Sequence, residues 1–254
     1  MNLNAGANLI SFYALPEDLS ISNVLYYLGS SALGIIGESA GSTYIEGTGW
    51  IGSLTQIDPT SGYWLIASQN ASLCLFNTDY IGGETGYILH TGANLVSFPM
   101  AGQISITDAL ATNTEGIIVG IIGEGVSAMY INTEWVGSLT SFSGGEGYWM
   151  LASEPIYFTY NSNRLGRFVS YSKTPVFPEG YKYTQSSAQS FYFIESVENI
   201  EEGDWILAYH DHAIIGARQW KGIAIDIPAM GNDGNIYSEG YIQSGEIPQF
   251  KRLH

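Results

Sequence analysis

The stretch Gly62-Tyr63-Trp64-Leu65-Ile66-Ala67-Ser68 returns 85 residues later as Gly147-Tyr148-Trp149-Met150-Leu151-Ala152-Ser153. Three more blocks recur in the same order: residues 3–12 at 89–98, 34–38 at 120–124, and 50–55 at 135–140. A period this long exceeds that of solenoid repeats, so each copy is expected to be a small domain with its own core. The two copies share apolar, glycine and aromatic positions. They share no full set of nucleophile, base or metal ligands, which favours a scaffold or binding role.

The charge distribution divides the chain. Residues 1–163 carry 13 acidic and no basic side chains, a net charge of −13. Residues 164–254 carry 11 acidic and 8 basic side chains, a net charge of −3, and the two sum to the total of −16. So abrupt a change predicts a domain boundary near Asn161–Arg164. We therefore expect repeat domains at 1–80 and 81–163 and a third domain at 164–254.

Composition excludes several classes of partner. A segment of charge −13 cannot neutralise phosphates, which excludes nucleic acid and disfavours anionic membranes. No apolar run approaches the ~20 residues of a membrane-spanning helix, so membrane insertion is not expected. The chain begins without a basic and apolar leader, so we expect a protein not exported by the usual route or a piece of a longer chain. Its single cysteine, Cys74, is interpreted as a buried small apolar residue.

Within each repeat the apolar pattern is mostly that of strands. Ser20 and Ser105 are suitable N-caps for short helices over Ile21–Leu28 and Ile106–Ala111. Each copy is predicted to end in a strand, Leu73–Phe76 in the first. The unit is predicted to be β-α-β-β-β-β, a small α+β domain. The recurring tryptophans are interpreted as core residues: Trp50 and Trp135, Trp64 and Trp149.

The third segment shows no helical pattern. Its strand candidates are separated by about 10–14 residues with Gly, Asp and Asn turns between them, which predicts a β-sandwich. The residues from Tyr209 to Ala213 are expected at a hairpin tip. The fold class is therefore mainly β, with one short helix in each repeat. The predicted strands are Ser190–Ile194, Trp205–Tyr209, Ala213–Arg218, Gly222–Ile227, Ile236–Tyr241 and Pro248–Leu253.

Both the repeats and the third segment carry motifs that resemble known protein modules. The repeats resemble modules of large bacterial and bacteriophage surface proteins with the pattern N-L-(I/V)-S-F-P … W-x-G-x-L … G-Y-W. The third segment is similar to another module of such proteins through Phe191–Ile194, Gly203–Tyr209, Ile215–Gly222 and Asp226–Gly234. Together the motifs cover nearly the whole chain. The resemblance implies a non-enzymatic setting on a virion or an extracellular surface.

One motif suggests catalysis. Gly37-Glu38-Ser39-Ala40-Gly41 matches G-x-S-x-G, the nucleophile elbow of α/β-hydrolases, which requires a helix directly after the serine. The residues after Ser39 favour a strand, and the second copy has no serine at the equivalent place. A turn is the simpler interpretation, so no catalytic residue is predicted and Ser39 is expected to be inert.

Two groups of residues could hold a metal. His210 and His212 share one face of a strand, but zinc requires further ligands, and a solvated hairpin tip is the alternative. Asn232, Asp233 and Asn235 form an oxygen-rich stretch that could bind Ca²⁺, with Asp204 and Asp226 as distant contributors. The full calcium-loop pattern is absent, and Asn-Gly and Asp-Gly pairs form turns for steric reasons alone. No cofactor is expected beyond this calcium candidate.

Tyrosines are the strongest candidates for contact with a partner. Several are not explained by the repeat and could serve protein contact, sugar contact or ordinary packing: Tyr26, Tyr27, Tyr157, Tyr160, Tyr171, Tyr181 and Tyr183. The predicted interface lies just past the charge boundary, where cations and tyrosines mix. It comprises Arg164, Arg167, Tyr171, Lys173, Tyr181, Lys182 and Tyr183.

The sequence thus predicts a non-catalytic structural or adhesive protein of an outer surface, such as a phage fibre, tail or capsid-decoration protein. Its expected partners are further copies of itself, forming a homo-oligomer, and other surface or virion proteins. The alternative is a secreted carbohydrate-binding or adhesin module from a larger surface protein, with glycans as partners. Self-association distinguishes the two hypotheses.

Overall fold

The structure is a computed structural model that describes residues 1–110, 114–161 and 177–254. Strands make up 47% of the chain and helices 8%, which confirms the mainly β class. The sheets follow the division of the sequence, because the paired strands of each sheet all come from one repeat or from the C-terminal segment. We refer below to repeat 1 (residues 1–80), repeat 2 (residues 81–161) and the C-terminal module (residues 177–254).

Repeat 1 is built on a five-stranded antiparallel sheet of order β2-β7-β4-β5-β6. Two short strand pairs, β1-β8 and β3-β9, flank this sheet. The helix α1 leads into a 3₁₀ helix over Tyr26–Ser31. The elements are β1 (Asn2–Leu3), β2 (Gly6–Ile10), β3 (Ala14–Pro16), α1 (Ile21–Val24), β4 (Ala32–Ile36), β5 (Gly41–Ile45), β6 (Gly49–Gly52), β7 (Tyr63–Ala67), β8 (Ala71–Ser72) and β9 (Thr78–Tyr80).

Repeat 2 has the same construction. Its main sheet has the order β11-β17-β13-β14-β15, the same as that of repeat 1, and the pairs β10-β18 and β12-β16 lie beside it. The internal duplication of the sequence is therefore also a duplication of the sheet. The elements are β10 (Gly86–Leu89), β11 (Gly92–Ser97), β12 (Gln103–Ser105), α2 (Ile106–Ala109), β13 (Ile118–Ile122), β14 (Ser127–Ile131), β15 (Glu134–Gly137), β16 (Ser141–Ser143), β17 (Gly147–Ala152) and β18 (Ile156–Thr159).

The copies differ at one hairpin. Ile45 pairs with Gly49 in repeat 1, whereas Ile131 pairs with Glu134 in repeat 2. The turn of repeat 1 therefore holds three residues and that of repeat 2 only two. The loss of this residue changes the offset between the copies from 86 to 85.

The predicted caps are confirmed, whereas the helices are shorter than expected. The Ser20 hydroxyl accepts a hydrogen bond from the Asn23 N–H, and the Ser105 hydroxyl accepts one from the Asp108 N–H. Each α-helix nevertheless has only four residues. In repeat 1 the chain tightens into the 3₁₀ helix, which Gly29 interrupts at φ 50°.

The C-terminal module has two small antiparallel sheets, β19-β22 and β21-β20-β23. The predicted strand over Ile236–Tyr241 is wrong, because Ile236–Ser238 is a 3₁₀ helix. The Ser238 hydroxyl of this turn donates a hydrogen bond to the Asp233 carboxylate at 2.7 Å. The strands are β19 (Gln189–Ile194), β20 (Trp205–His210), β21 (Ala213–Gln219), β22 (Ile225–Met230) and β23 (Gln249–Leu253).

Each unit has its own apolar core. The core of repeat 1 includes Phe12, Ile35 and Leu65, and that of repeat 2 includes Phe98, Ile121 and Met150. The C-terminal core includes Ile215 and Ile227 between its two sheets. A fourth cluster belongs to no single unit, and it defines how the units pack.

Candidate interaction surfaces

The two repeats pack against each other through reciprocal contacts. The Leu9 N–H donates to Glu124 Oε2 at 2.8 Å, and the equivalent Leu95 N–H donates to Glu38 Oε2 at 2.8 Å. The backbone repeats this symmetry: the Ser11 N–H donates to the Gly145 carbonyl, and the Ser97 N–H donates to the Thr60 carbonyl. Equivalent residues thus exchange roles, as across a two-fold axis.

Two glycines allow the backbones to meet. A Cβ on Gly62 would lie 2.8 Å from the Val96 carbonyl oxygen, and a Cβ on Gly147 would lie 2.6 Å from the Ile10 carbonyl oxygen. Each added Cβ would also lie 3.3 Å from the Cα of the other glycine. The glycine of each Gly-Tyr-Trp block therefore serves the contact between the repeats.

The tryptophans of these blocks lie in the same contact. Trp64 is buried beside Ala7, Leu9, Ile66 and Leu95, and Trp149 packs against this cluster. The predicted burial of Trp64 is confirmed, but it lies between the repeats and not in the core of its own repeat. Trp50 and Trp135 are half-buried against the cores of repeats 1 and 2.

The C-terminal module docks on repeat 2 through a buried carboxylate. Asp226 has no exposed surface, and it accepts hydrogen bonds from the Ser138 N–H (2.5 Å), the Ser138 hydroxyl (2.9 Å) and the Ser127 N–H (3.2 Å). Arg218 Nη2 lies 3.0 Å from the same carboxylate and also donates to the Gly125 carbonyl at 2.8 Å. The ion pair thus joins the module to the sheet edge of repeat 2. Asp226 is therefore a docking residue.

Half of the repeat 1 sheet has an exposed apolar face. Residues paired across antiparallel strands lie on one face, so Ile36 lies on the face of Trp64, and Thr43 lies on the face of Ile51. Repeat 2 covers this face at β2 and β7 but not at β4, β5 and β6. We call the uncovered part, formed by Ile36, Thr43, Ile45 and Ile51, the bare half-sheet. Its isoleucines expose 43%, 47% and 51% of their surface.

The equivalent part of repeat 2 is partly covered. Strand β22 of the C-terminal module packs against β15. Ile122 and Val136, the counterparts of Ile36 and Ile51, are only half-exposed, although Met129 and Ile131 remain exposed. The C-terminal module therefore packs beside this face in repeat 2, whereas the face of repeat 1 is solvent-exposed.

The candidate tyrosines fall into two classes. Tyr160 is fully within the core of repeat 2, in contact with Phe98 and Phe158. Tyr26, Tyr27 and Tyr157 are exposed by 70%, 63% and 62%. Tyr27 contacts Phe76, itself exposed, at a ring-centroid distance of 5.1 Å. Exposure keeps Tyr26, Tyr27 and Tyr157 as contact candidates, whereas packing explains Tyr160.

The predicted interface is only partly described. Arg164, Arg167, Tyr171 and Lys173 lie outside the described residues. Tyr183 packs against the C-terminal core, where burial raises its pKa to about 12. Lys182 is exposed and Tyr181 is half-exposed. These three residues are consecutive in the chain, but their side chains lie in different environments.

The calcium candidates form a self-contained hydrogen-bond network. Asp233 Oδ1 accepts from Ser238 and Asn235, and Oδ2 accepts from Tyr237 and Ser187. Burial alone would raise the pKa of Asp233, but these hydrogen bonds outweigh it and hold the pKa well below its usual range. The Asn235 amide nitrogen points into the carboxylate, and Asn232 Oδ1 accepts from the Gly234 N–H. The arrangement stabilises a turn.

The two histidines lie at the predicted hairpin tip. His210 Nε2 lies 3.1 Å from Glu246 Oε2, and its Nδ1 contacts the Gly240 carbonyl at 2.9 Å. His212 is exposed in the turn. Within residues 1–110, 114–161 and 177–254, no three His, Cys, Asp or Glu side chains are grouped to hold a metal.

Ser39 lies in the loop between β4 and β5, and a strand follows it where the hydrolase elbow requires a helix. The neighbouring Glu38 serves the contact between the repeats, and its Oε1 lies 2.7 Å from His90 Nε2.

The interpretation of Cys74 as a buried residue is wrong. Residues 73–76 form no strand, and Leu73 is buried while Cys74 is exposed.

Comparison with family models, with curated proteins and with solved structures finds no match. Of the helices in the described ranges, none has the length and apolarity to cross a membrane. The function is therefore inferred from the surfaces of the described residues.

Sequence reasoning missed the bare half-sheet and the docking carboxylate. Alternating isoleucines in β4, β5 and β6 predict strands but do not tell which face is covered. Glu38 and Glu124 gave a signal, since both copies keep a glutamate at the same position. Asp226 gave none, because its partners Ser127 and Ser138 lie 99 and 88 residues earlier in the chain.

Proposed function

We propose that this chain is a non-catalytic structural or adhesive protein of an outer surface, a phage virion component such as a fibre, tail or capsid-decoration protein. One observation supports this most directly. The bare half-sheet of repeat 1 exposes three isoleucines, whereas the C-terminal module packs beside the equivalent part of repeat 2. Contiguous apolar surface of this kind is typical of protein contacts.

The proposed occupant is the C-terminal module of a second copy. Repeat 1 has six acidic and no basic side chains, so any ion pair that it forms with another surface requires cations from that surface. Every cation of the chain lies at or after Arg164. The C-terminal module exposes Lys182, Lys221 and Lys251 together with the apolar Ile223 and Ile247. A contact of repeat 1 with this module is heterologous, and heterologous contacts build rings or filaments.

The test is self-association of the full chain with two matched double variants. Ile36→Ser with Ile51→Ser should abolish association, because it removes the apolar side chains of the bare half-sheet. Met129→Ser with Ile131→Ser, at similarly exposed positions of repeat 2, should leave association intact. Sedimentation velocity over a range of concentrations measures the association of both variants and of the wild type. Equal association of the two variants would refute this surface as the contact.

A second function, carbohydrate binding by a module of a larger surface protein, is favoured by a separate feature. Repeat 2 has a cleft with aromatic and hydrogen-bonding groups beside Trp135.

A further inference from the structure

A cleft of about 320 Å³ opens on repeat 2 between α2 and the β14–β15 hairpin. Tyr130 and Trp135 pair across the hairpin with ring centroids 5.2 Å apart and line one wall. Trp135 is also packed against the core of the repeat, which fixes its ring. The cleft therefore has a rigid aromatic wall before any ligand enters.

The other walls carry hydrogen-bonding groups. Glu115 and Glu134 supply exposed carboxylates, and Thr107 and Thr133 supply hydroxyls. Carboxylates accept and hydroxyls both donate and accept, which matches the hydroxyl groups of a sugar, while the apolar face of a sugar ring can lie on an aromatic ring. Residues 1–163 contain no basic side chain, so anionic sugars are repelled.

Repeat 1 shows that the fold does not require the two carboxylates, although it keeps hydroxyl residues as Ser22 and Thr48. It keeps the aromatic pair as Tyr44 and Trp50, at 5.5 Å. Gly49 occupies the strand position of Glu134, and Gly29, three residues before β4, stands where Glu115 stands before β13. The two carboxylates of the cleft are therefore specific to repeat 2.

The turn beside the cleft is strained. Asn132 and Thr133 have φ of 50° and 70°, a left-handed conformation that suits Asn or Gly but not a β-branched threonine. Repeat 1 has glycines with positive φ in its turn, Gly47 and Gly49. Repeat 1 also has a threonine here, Thr48, but only Thr133 of repeat 2 holds the positive φ and lines the cleft, and such strain is concentrated at functional sites.

We propose that this cleft is a binding site for a neutral saccharide, which stacks on the Trp135–Tyr130 wall and hydrogen-bonds to Glu115, Glu134 and Thr133. The site is independent of the contact proposed for repeat 1. It adds ligand binding to a scaffold and would place adhesion on repeat 2.

The test uses the full chain on an array of neutral, anionic and amino glycans. The best neutral glycan is then titrated while the tryptophan indole N–H signals are observed by NMR. Binding should be confined to neutral glycans, and Glu134→Gln should weaken it about tenfold through the loss of a charged acceptor. The matched control, Glu46→Gln in the corresponding turn of repeat 1, should leave affinity unchanged.

Thr133→Gly separates binding from folding. It should raise the unfolding temperature, because glycine relieves the left-handed strain, and it should weaken glycan binding. Three results would overturn the proposal: no neutral glycan bound at millimolar concentration, binding unchanged in both Glu134→Gln and Thr133→Gly, or binding only of cationic probes such as trilysine. The last would identify the cleft as an amine site.

Discussion

Replacement of Asp226 by asparagine should uncouple the C-terminal module from repeat 2. The Asp226 carboxylate is fully buried and accepts hydrogen bonds from Ser127 and Ser138 as well as from Arg218. Asparagine would leave Arg218 without its counter-charge and would turn an amide N–H₂ group toward a donor. Breaking one side of a buried ion pair costs about 3–5 kcal/mol. The loss is concentrated at one contact, so the module should then unfold before the repeats.

Calorimetry and urea unfolding measure this effect. The wild type should unfold with the module and repeat 2 coupled, and the variant should show an earlier, separate transition for the module. The control is Asp211→Asn, an exposed turn residue at φ 51°, where asparagine is equally well accommodated. A loss below about 1 kcal/mol, or an equal loss in the control, would refute the docking role of Asp226.

Three further predictions follow from the contacts of the described residues. Gly147→Ala should lower the free energy of unfolding in urea by about 1–3 kcal/mol, because its Cβ would lie 2.6 Å from the Ile10 carbonyl oxygen. The control Gly34→Ala, whose Cβ meets only the Ser42 carbonyl oxygen at 3.4 Å, should lower it less. Asp233→Asn should flatten the acid side of the curve of unfolding free energy against pH. The lowered pKa of Asp233 contributes stability above the ordinary value of 3.8, and this stability is lost as pH falls through the folded pKa. An unchanged slope in acid would contradict this. A fluorophosphonate probe should leave Ser39 unlabelled, and stoichiometric labelling that Ser39→Ala abolishes would overturn the non-catalytic proposal.

Local features of the fold could be predicted from the sequence. The recurrence of residues 62–68 at 147–153 predicts two like sheets, and the caps Ser20 and Ser105 mark where the short helices begin. These features depend on neighbours in the chain, which the pattern of residues records. The ends of the helices depend on tertiary contacts, which the local pattern does not record. The predicted helix over Ile21–Leu28 is therefore too long.

Contacts between units could not be predicted in the same way. Trp64 and Trp149 recur because both copies use them, and recurrence does not distinguish a core from a contact between the copies. The segment over Ile236–Tyr241 looks like a strand by its apolar residues, but the Asp233 network bends it. The apolar neighbours of Cys74 predict a buried side chain, but of residues 73–76 only Leu73 is buried. Each of these errors has one of two causes. Either the contact partners are distant in sequence, or the residues beside a position in the chain do not determine whether its side chain is buried.

The native mass of the full chain, measured by light scattering over a range of concentrations, tests the central claim most directly. The account predicts a mass above the 27.6 kDa of one chain that rises with concentration, and a mass of one chain when residues 164–254 are removed and the repeats remain folded. A full chain that stays at 27.6 kDa at every concentration would contradict assembly. A truncated chain that keeps the full-length oligomeric state would contradict the role of the C-terminal module in it.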